Sequence, residues 1–332
     1  MQKLLSISVA AYNVEAFIEK NLQSFVDSGV LDDVEVLVVD DGSKDSTPQL
    51  VRGYAERYPD SIRLIMQENA GPGSTVNTGL ANATGRYFRM VDGDDWVDPG
   101  AFSRLVGFLR ESDADMVVCN HEEVDNDTNE HFLKTVTGAE PYKVMPTGEF
   151  LESLSRISMH DTVYRTDLLK ENGIRLFNCF YTDAQYLYFP MLCAKTAVYL
   201  PESVYQYRVS LSTQSMSISS MQRNTEMHQR VLFSLVERYE EYLKSGAADE
   251  KVATYVADGI ISVAGAQLSI FLSFAPCKER KADLYNFFAR LEGASDDIYG
   301  RFCNLKTVRA LKLKFTYPMV SLLHRRKLGI VK

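Results

Sequence analysis

Three aspartates lie within four residues, directly after an apolar run of the sequence. Asp92, Asp94 and Asp95 follow residues 87–91, whose composition is typical of a short buried strand. Carboxylates this close repel one another unless a cation neutralises them, and hard oxygen ligands favour Mg²⁺ or Mn²⁺ over zinc. Gly93 lets the backbone turn there and approach a bound group closely. The cluster therefore predicts a divalent cation site with ligands from one short loop.

A simpler interpretation of the same loop is a turn that begins a helix. Asp98 is a good N-cap residue, and Pro99 suits the first helical position. Loops rich in Asp and Gly are common at such places. The choice between the two interpretations depends on the elements that carry the loop.

Strands alternate with helices through the first hundred residues. Apolar runs predict strands at 4–11, 34–39, 62–66 and 87–91. Helical spacing follows the first strand, and further helices are predicted over 47–58 and 75–83. This order gives a parallel sheet with right-handed crossovers, in which ligands bind at the carboxyl ends of the strands. Asp40 and Asp41 end the second strand, as Asp92 ends the fourth.

The overall composition disfavours several classes of protein. The chain has 332 residues, of which 24% are charged and 45% are hydrophobic, as in ordinary soluble globular proteins. The formal net charge of −8 argues against a nucleic-acid-binding protein. The sequence contains neither GxGxxG nor GxxxxGK(S/T), which disfavours dinucleotide enzymes and P-loop NTPases.

The cysteines and the N-terminus predict a cytoplasmic protein. Five cysteines are scattered without the spacing of a metal site, which favours a reducing compartment over a disulfide framework. The N-terminus passes into the first strand without a signal-peptide pattern. No apolar run is expected to reach the length of a membrane span.

Four segments of the sequence together resemble the family-two inverting glycosyltransferases of GT-A fold. They are SVAAYN at 8–13, VVDDGSKDST at 38–47, NAG at 69–71 and VDGDD at 91–95. The resemblance covers residues 4–120. It implies an α/β fold of GT-A type, with a Rossmann-like, mainly parallel sheet flanked by helices and, here, a C-terminal helical extension. It also implies a nucleotide-diphospho-sugar donor, usually a UDP-sugar, whose diphosphate Mn²⁺ or Mg²⁺ bridges to the acids.

The resemblance also assigns donor-site residues by matching position. Tyr12 and Asp41 would flank the uracil, although Asp41 is equally well explained as a turn residue. Asp92 would lie near the ribose and the metal, Asp94 would be the main carboxylate at the metal, and Asp95 would face the sugar or a water of the metal shell. The residues expected to contact the donor are Ala11, Tyr12, Asp41, Asn69, Gly71, Asn77, Asp92, Gly93 and Arg208.

One departure from the family concerns the donor diphosphate. Many relatives carry Arg-Asn on the helix after the NAG turn, whereas this chain has Val76 and Asn77. The diphosphate charge would then rest on the metal, on the helix N-terminus at Ser74 and Thr75, or on a later basic residue. Arg208 is the candidate, because it ends a segment that resembles the family's Tyr-x-Tyr-Arg and precedes a Ser-rich segment predicted to close over the donor. The alternative is a surface arginine paired with an acid.

Inverting transfer needs one general base to take the proton of the acceptor hydroxyl. Relatives commonly have Glu-Asp at the start of a helix in this region, with the Asp as base, and this chain has Thr182 and Asp183. We therefore predict Asp183 as the base and Thr182 as the helix N-cap. The alternative is an acid that only stabilises the helix dipole. Asp95, His160 and Thr182 are expected near the sugar or the acceptor, although a lone histidine is more often structural.

The last third of the chain is predicted to be helical and to pack on the catalytic domain or on a second subunit. The predicted domains are a catalytic domain at 1–220, with a donor half at 1–120 and an acceptor half at 121–220, and a helical region at 221–332. Residues 301–332 hold nine Lys and Arg among apolar residues and no Asp or Glu. This pattern suits an interfacial helix on anionic lipid or a helix docked on the acidic domain.

The sequence as a whole predicts a metal-dependent inverting glycosyltransferase at the cytoplasmic face of the membrane. Its donor would be a nucleotide sugar, and its acceptor a surface polysaccharide, a wall polymer or a lipid-linked oligosaccharide. A nucleotidylyltransferase of the same fold would need a Gly-rich, basic loop after the first strand, which residues 11–14 lack. A non-catalytic protein that binds a sugar nucleotide or a carbohydrate is the other hypothesis.

Overall fold

The chain folds as two units. The computed structural model describes residues 3–136, 138–154, 156–210 and 218–331. The first unit is Met1–Ser212 and the second is Thr213–Lys332. The Ser-rich segment 210–220, predicted to close over the donor, lies mostly outside the described residues.

The first unit is built on one sheet with helices around it. Its strands are β1 (Leu5–Ala11), β2 (Val34–Asp40), β3 (Ile62–Met66), β4 (Tyr87–Asp92), β5 (Trp96–Val97), β6 (Met116–Asp125), β7 (His131–Lys134), β8 (Met145–Pro146), β9 (Thr162–Arg165) and β10 (Thr196–Val209). Its helices are α1 (Ile18–Asp27), α2 (Thr47–Arg57), α3 (Pro72–Asn82), α4 (Pro99–Glu111), α5 (Thr147–Ser153), α6 (Thr166–Glu171) and α7 (Asp183–Met191).

The sheet is mixed, and its long strands are parallel. The strand order is β3-β2-β1-β4-β9-β6-β10-β5, with β7 beside β6 and β8 beside β10. Strands β1 to β4 are parallel, and so are β6 and β10. Because β9 is antiparallel to both β4 and β6, these two share one direction. The strands that run the other way are the short ones, and the prediction of a mainly parallel sheet is confirmed.

Helices on both faces bury the central strands. All seven positions of β2 are buried, as expected for a parallel strand covered on both sides. Phe25 of α1 and Phe102 of α4 meet edge to face, with ring centroids 5.3 Å apart. The apolar runs of the sequence are therefore continuous because helices cover these strands on both faces of the sheet.

Several boundaries differ from the predicted ones. Helix α3 begins at Pro72, three residues before the predicted start, because proline suits a first helical turn. The segment that ends at Arg208 belongs to the long strand β10, whose register shifts near Ser203. Asp98 caps α4 by accepting a hydrogen bond from the Ala101 N–H at 2.7 Å. Thr147 lies inside α5 and does not cap it.

The second unit is entirely helical in its described residues. Its helices are α8 (Ile218–Arg223), α9 (Thr225–Lys244), α10 (Glu250–Ser273), α11 (Lys278–Ala294), α12 (Asp296–Phe302), α13 (Lys306–Leu311) and α14 (Tyr317–Lys327). Helix α10 is central, because it packs against α8, α9, α11, α12 and α14.

Helix α10 corrects one prediction. The sequence was expected to hold no apolar run of membrane-spanning length, but α10 has 24 residues and a mean hydropathy of 1.5 in its most apolar window. By length and composition alone it is able to cross a membrane. Within the structure 61% of that window is buried, and a core helix passes the same test.

Candidate active site

The three aspartates lie in the tight loop between β4 and β5. The backbone N–H of Gly93 donates a hydrogen bond to the carbonyl of Ala10, on β1, at 2.9 Å. A Cβ at position 93 would lie 2.8 Å from the same carbonyl oxygen, which is closer than side-chain carbons approach. Glycine therefore lets the acid loop press against the carboxyl end of β1.

Asp95 anchors this loop inside the protein. Its side chain is fully buried and accepts hydrogen bonds from the Tyr205 hydroxyl and from the Arg208 backbone N–H, both at 2.7 Å. From the other side, Asn21 on α1 donates to the carbonyls of Asp92 and Asp95 at 3.2 and 2.9 Å. Asp95 was predicted to face the sugar or a water of the metal shell. In the structure, both of its carboxylate oxygens accept hydrogen bonds from residues of β10.

We expect Asp95→Ala to destabilise the first unit more than Asp94→Ala does. The first change removes two buried hydrogen bonds and leaves the Tyr205 hydroxyl unpaired, at a cost of about 2–4 kcal/mol. Asp94 is half-buried, and its removal is expected to change the free energy of unfolding by less than about 0.5 kcal/mol. Urea unfolding of both variants measures the difference. A fully stable Asp95→Ala that loses donor binding would instead make Asp95 a ligand.

The carboxylates of Asp92 and Asp94 are half-buried. Among the described residues, no other residue donates a hydrogen bond to the Asp92 carboxylate. Burial, with repulsion from the charges of Asp94 and Asp183, raises the pKa of Asp92 to about 7. Burial also raises the pKa of Asp94. The loop thus holds acids whose negative charges are poorly compensated, which is the electrostatic setting of a cation site.

The donor atoms present fit a hard divalent cation. One ligand atom from each of Asp92, Asp95 and His160 lies within 4.8 Å of the others. The sequence predicted Asp92 and Asp94 instead, so Asp92 belongs to both sets. The oxygens of Asp95 already accept hydrogen bonds, whereas Asp94 follows Asp92 in the same open loop. We therefore keep Asp92 and Asp94 as the predicted ligands, with His160 within reach.

His160 lies beside the acid loop in a stack of aromatic rings. Its ring centroid is 4.3 Å from that of Tyr207, with the planes 23° apart, and 4.7 Å from that of Tyr205. Its carbonyl accepts a hydrogen bond from the buried Arg89. Burial, with electrostatic repulsion from the neighbouring His121 and Arg89, holds the pKa of His160 well below its usual range. The imidazole is therefore neutral, as a metal ligand or a hydrogen-bonding group must be.

Asp183 is the first residue of α7. Thr182 occupies the N-cap position, as predicted, but its side chain makes no capping hydrogen bond. Asp183 is exposed to solvent, yet desolvation by the surrounding protein raises the pKa of its carboxylate. Its charge also raises the pKa of Asp92. The structure therefore brings the predicted base close to the predicted metal loop.

Contacts between α3 and the segment before α7 fix the place of Asp183. The amide of Asn77 donates to the Leu176 carbonyl at 2.8 Å and accepts from the Leu176 N–H at 2.9 Å. The Phe177 N–H donates to Gln185 Oε1 at 2.9 Å. A Cβ at Gly73 would lie 1.8 Å from the Phe177 carbonyl oxygen. Asn77 was predicted to contact the donor, and the structure instead uses its amide to position this segment.

Tyr207 faces the acids, and sequence reasoning missed it. Burial and the charges of Asp95, Asp92, Asp94 and Asp183 raise the pKa of Tyr207. Its phenol therefore stays protonated at neutral pH and is a neutral hydrogen-bond donor among four carboxylates. The only sequence signal was its place in the segment that ends at Arg208.

Asp41 shapes the NAG turn. Its carboxylate accepts hydrogen bonds from the N–H groups of Ala70 and Gly71 at 2.9 and 2.8 Å and from Gln67 Nε2 at 2.7 Å. Gly71 has φ = 90°, which favours glycine. Tyr12, at the end of β1, is 48% exposed and free to lie against a planar ligand. The Asp41 carboxylate thus already accepts hydrogen bonds from the turn, and its predicted contact with the nucleobase would be made by the same group.

Two cations flank the acid loop. Arg208 Nε donates to the Asp94 carbonyl at 2.9 Å, and its guanidinium lies 4.8 Å from the Trp96 ring centroid and 4.7 Å from that of Phe17. Lys20 Nζ lies 3.2 Å from the Trp96 ring centroid. Burial and the charge of Arg208 lower the pKa of Lys20. Arg208 therefore lies beside the acid loop, and so does Lys20, which carried no sequence signal. The predicted contact of Arg208 with the donor stays a prediction.

Comparison with known proteins assigns the chain to a family. The family model described as "Glycosyl transferase family 2" matches residues 6–173, just over half of the 332 residues. The chain belongs to glycosyl transferase family 2. This family 2 glycosyltransferase is 29% identical over 268 residues to the uncharacterized glycosyltransferase EpsJ of Bacillus subtilis, covering 77% of this chain and 75% of EpsJ. It is 25% identical over 217 residues to EpsH of the same organism, covering 63% of this chain and 62% of EpsH.

The fold of this family 2 glycosyltransferase is that of a solved structure, TarS 1–349 of S. aureus in complex with UDP-GlcNAc. The TM-score is 0.66 at 20% identity, and the likeness covers 97% of this chain and 89% of that chain. The predictions of a GT-A fold, of family membership and of a glycosyltransferase enzyme are confirmed. Asp92, Asp95 and His160 form a cluster that could hold a metal ion.

Proposed function

We propose that this family 2 glycosyltransferase moves a sugar from a nucleotide-diphospho-sugar to an acceptor hydroxyl, with inversion and with the help of a divalent metal. The observation that carries the proposal is the place of Asp183. It begins a helix beside the acid loop, close enough for its charge to raise the pKa of Asp92. A base and a site for the departing diphosphate thus lie side by side, as a single displacement requires.

The donor would lie along the carboxyl ends of β1, β2 and β4. We propose that Tyr12 stacks on the base, and that Asp41 and the turn of Asn69 and Gly71 hold the nucleoside. Asp92 and Asp94, with His160 in reach, would hold Mn²⁺ or Mg²⁺, and a metal there would stabilise the charge of the departing diphosphate. Arg208 and Lys20 offer further positive charge, which compensates for the arginine that this chain replaces with Val76.

The proposed step at Asp183 is a proton transfer coupled to displacement. The carboxylate takes the proton of the acceptor hydroxyl as that oxygen bonds to the anomeric carbon. The bond from the anomeric carbon to the diphosphate oxygen breaks, and the nucleoside diphosphate leaves with the electron pair. The raised pKa of Asp183 makes its carboxylate a stronger base than an ordinary aspartate. Attack from the face opposite the leaving group inverts the configuration.

The acceptor we propose is a glycan, a wall polymer or a lipid-linked saccharide at the inner face of the cell membrane. TarS binds UDP-GlcNAc, and EpsJ is described as a glycosyltransferase. Thr182, which precedes Asp183, is buried, and its contact with the acceptor stays a prediction. Assembly with a second copy of the chain stays a prediction.

A screen of nucleotide sugars tests the proposed function. At a hundredfold excess of concentration over Kd, a ligand stabilises the folded state by about 2.7 kcal/mol. We expect one nucleotide sugar to raise the melting temperature by several degrees, about 2–4 °C per kcal/mol, and to do so more strongly with Mn²⁺ than with EDTA. Absence of any response across UDP-, GDP-, CMP- and dTDP-sugars would contradict a donor site. An equal response with EDTA would contradict the metal.

A further inference from the structure

Large apolar side chains are exposed in one short stretch of the second unit. Leu313, Phe315, Met319, Leu322 and Leu323 are 56%, 79%, 57%, 40% and 56% exposed. Elsewhere among the described residues of this unit, Leu243 is the one other exposed large apolar side chain. Single exposed apolar residues are normal, but five within eleven residues mark a binding surface. We call the exposed side chains of residues 312–327 the basic apolar patch.

Helix α14 turns its apolar face outward. Met319, Leu322 and Leu323 have the i, i+3, i+4 spacing of one helix face, and all three are exposed. The buried side of α14 holds Tyr317 together with polar groups: the buried Ser321 hydroxyl donates to the Leu272 carbonyl at 3.1 Å, and His324 Nε2 lies 2.8 Å from Ser269 Oγ. A surface helix normally buries most of its apolar side chains. The three exposed apolar side chains of α14 therefore leave an apolar surface for another partner.

The same stretch is strongly basic. Lys312, Lys314, Arg326 and Lys327 are exposed beside the apolar side chains. Residues 301–332 hold nine Lys and Arg and no Asp or Glu, although the whole chain has a formal net charge of −8. Positive charge is therefore concentrated here against the overall balance. A partner of this surface should be apolar in part and negatively charged.

We propose that the basic apolar patch docks the second unit on an anionic phospholipid bilayer. Exposed Phe, Leu and Met side chains would enter the boundary between headgroups and acyl chains, while lysine and arginine contact lipid phosphates. A symmetric dimer through this patch would instead bring like charges together, because the same surface faces itself across a two-fold axis. A nucleic acid would leave the five apolar side chains in water. The proposal goes beyond the glycosyl transfer and does not depend on it.

Vesicle cosedimentation tests the docking surface in the full chain. The protein is expected to sediment with phosphatidylcholine vesicles that contain about 30% phosphatidylglycerol, but not with phosphatidylcholine alone, and binding is expected to fall as salt rises above about 0.1 M. Lys312→Glu with Lys327→Glu should weaken binding by about 25-fold or more, at about fivefold for each basic residue. Phe315→Ser with Leu323→Ser should weaken it by about tenfold or more.

Matched variants outside the patch keep the test specific. Phe132→Ser with Leu133→Ser changes side chains that are 48% and 57% exposed on β7, and Lys195→Glu with Lys244→Glu makes the same change in net charge elsewhere. Both controls should bind vesicles as the wild type does, and all variants should keep the wild-type melting temperature.

Two results would overturn the proposal. One is equal binding to the two vesicle types, or no binding to either. The other is a dimer, seen by sedimentation velocity, that the Phe315→Ser and Leu323→Ser changes convert to a monomer, because the patch would then be an interface between copies. Asp183→Asn is expected to leave vesicle binding unchanged, so a failure of the proposed glycosyl transfer would be distinguishable.

Discussion

Asp183→Asn is expected to lower kcat for sugar transfer by about 10²–10⁴-fold, the usual contribution of a general base. The asparagine keeps the size of the side chain but cannot take the proton of the acceptor hydroxyl. Donor binding should be retained, because the diphosphate and the nucleobase of the donor are expected to contact other residues. Transfer assays and titration with the nucleotide sugar found in the thermal screen measure the two effects separately.

The control for this prediction is Asp167→Asn. Asp167 is an exposed acid in the first turn of α6, as Asp183 is in the first turn of α7. An acid that only interacts with a helix dipole contributes about 0.3–1 kcal/mol to stability in either place. If Asp183→Asn lowers stability by that amount and leaves kcat unchanged, Asp183 is a dipole acid and the base is another residue.

The pH dependence of kcat/KM gives a second test of Asp183. The base must be ionised in order to act, so activity falls as the pH falls through its pKa. Because burial raises the pKa of Asp183, the acid limb should lie above the value of 3.8 that is usual for an aspartate. The limb should be absent from the residual activity of Asp183→Asn.

Asp94→Asn is expected to weaken Mn²⁺-dependent donor binding by at least about tenfold, because a neutral amide replaces a charged ligand of the metal. Titration of Mn²⁺, followed by electron paramagnetic resonance in the presence of the donor, measures metal affinity directly. Asp98→Asn is the matched control, because Asp98 lies four residues further on and caps α4. Because asparagine also caps helices well, this variant should keep both its stability and its metal affinity.

The same titration separates the two candidate sets of metal ligands. If Asp94→Asn keeps the wild-type affinity while His160→Gln loses it, the metal is held by Asp92, Asp95 and His160, and the assignment of Asp94 is wrong. If both variants lose affinity, Asp94 and His160 both ligate. Asp95→Ala is not informative here, because the loop depends on Asp95 for its fold.

Local sequence signals determined most of the donor half. Apolar runs end at Ala11, Asp40 and Asp92, and turn residues follow each of them, so the strand ends and the acid loop could be predicted within a few residues. The parallel order of the sheet follows from the alternation of strands and helices. The GT-A fold and the family could also be predicted, because four motifs occur along the chain in the order and at the spacing of the family. These features depend on residues that are close together in the sequence, so they can be predicted from the sequence alone.

The roles of single side chains were decided by the tertiary structure. Asp95 and Asp94 are adjacent in sequence, but only Asp95 points into the protein, where it meets Tyr205, 110 residues further along the chain. Asn77 meets the backbone of Leu176 across 99 residues. No periodicity or motif records such pairings, because they arise only when distant segments pack. The sequence therefore identified the acid loop and the strand ends that carry it, and packing decided which side chains support the loop and which further residues lie beside it.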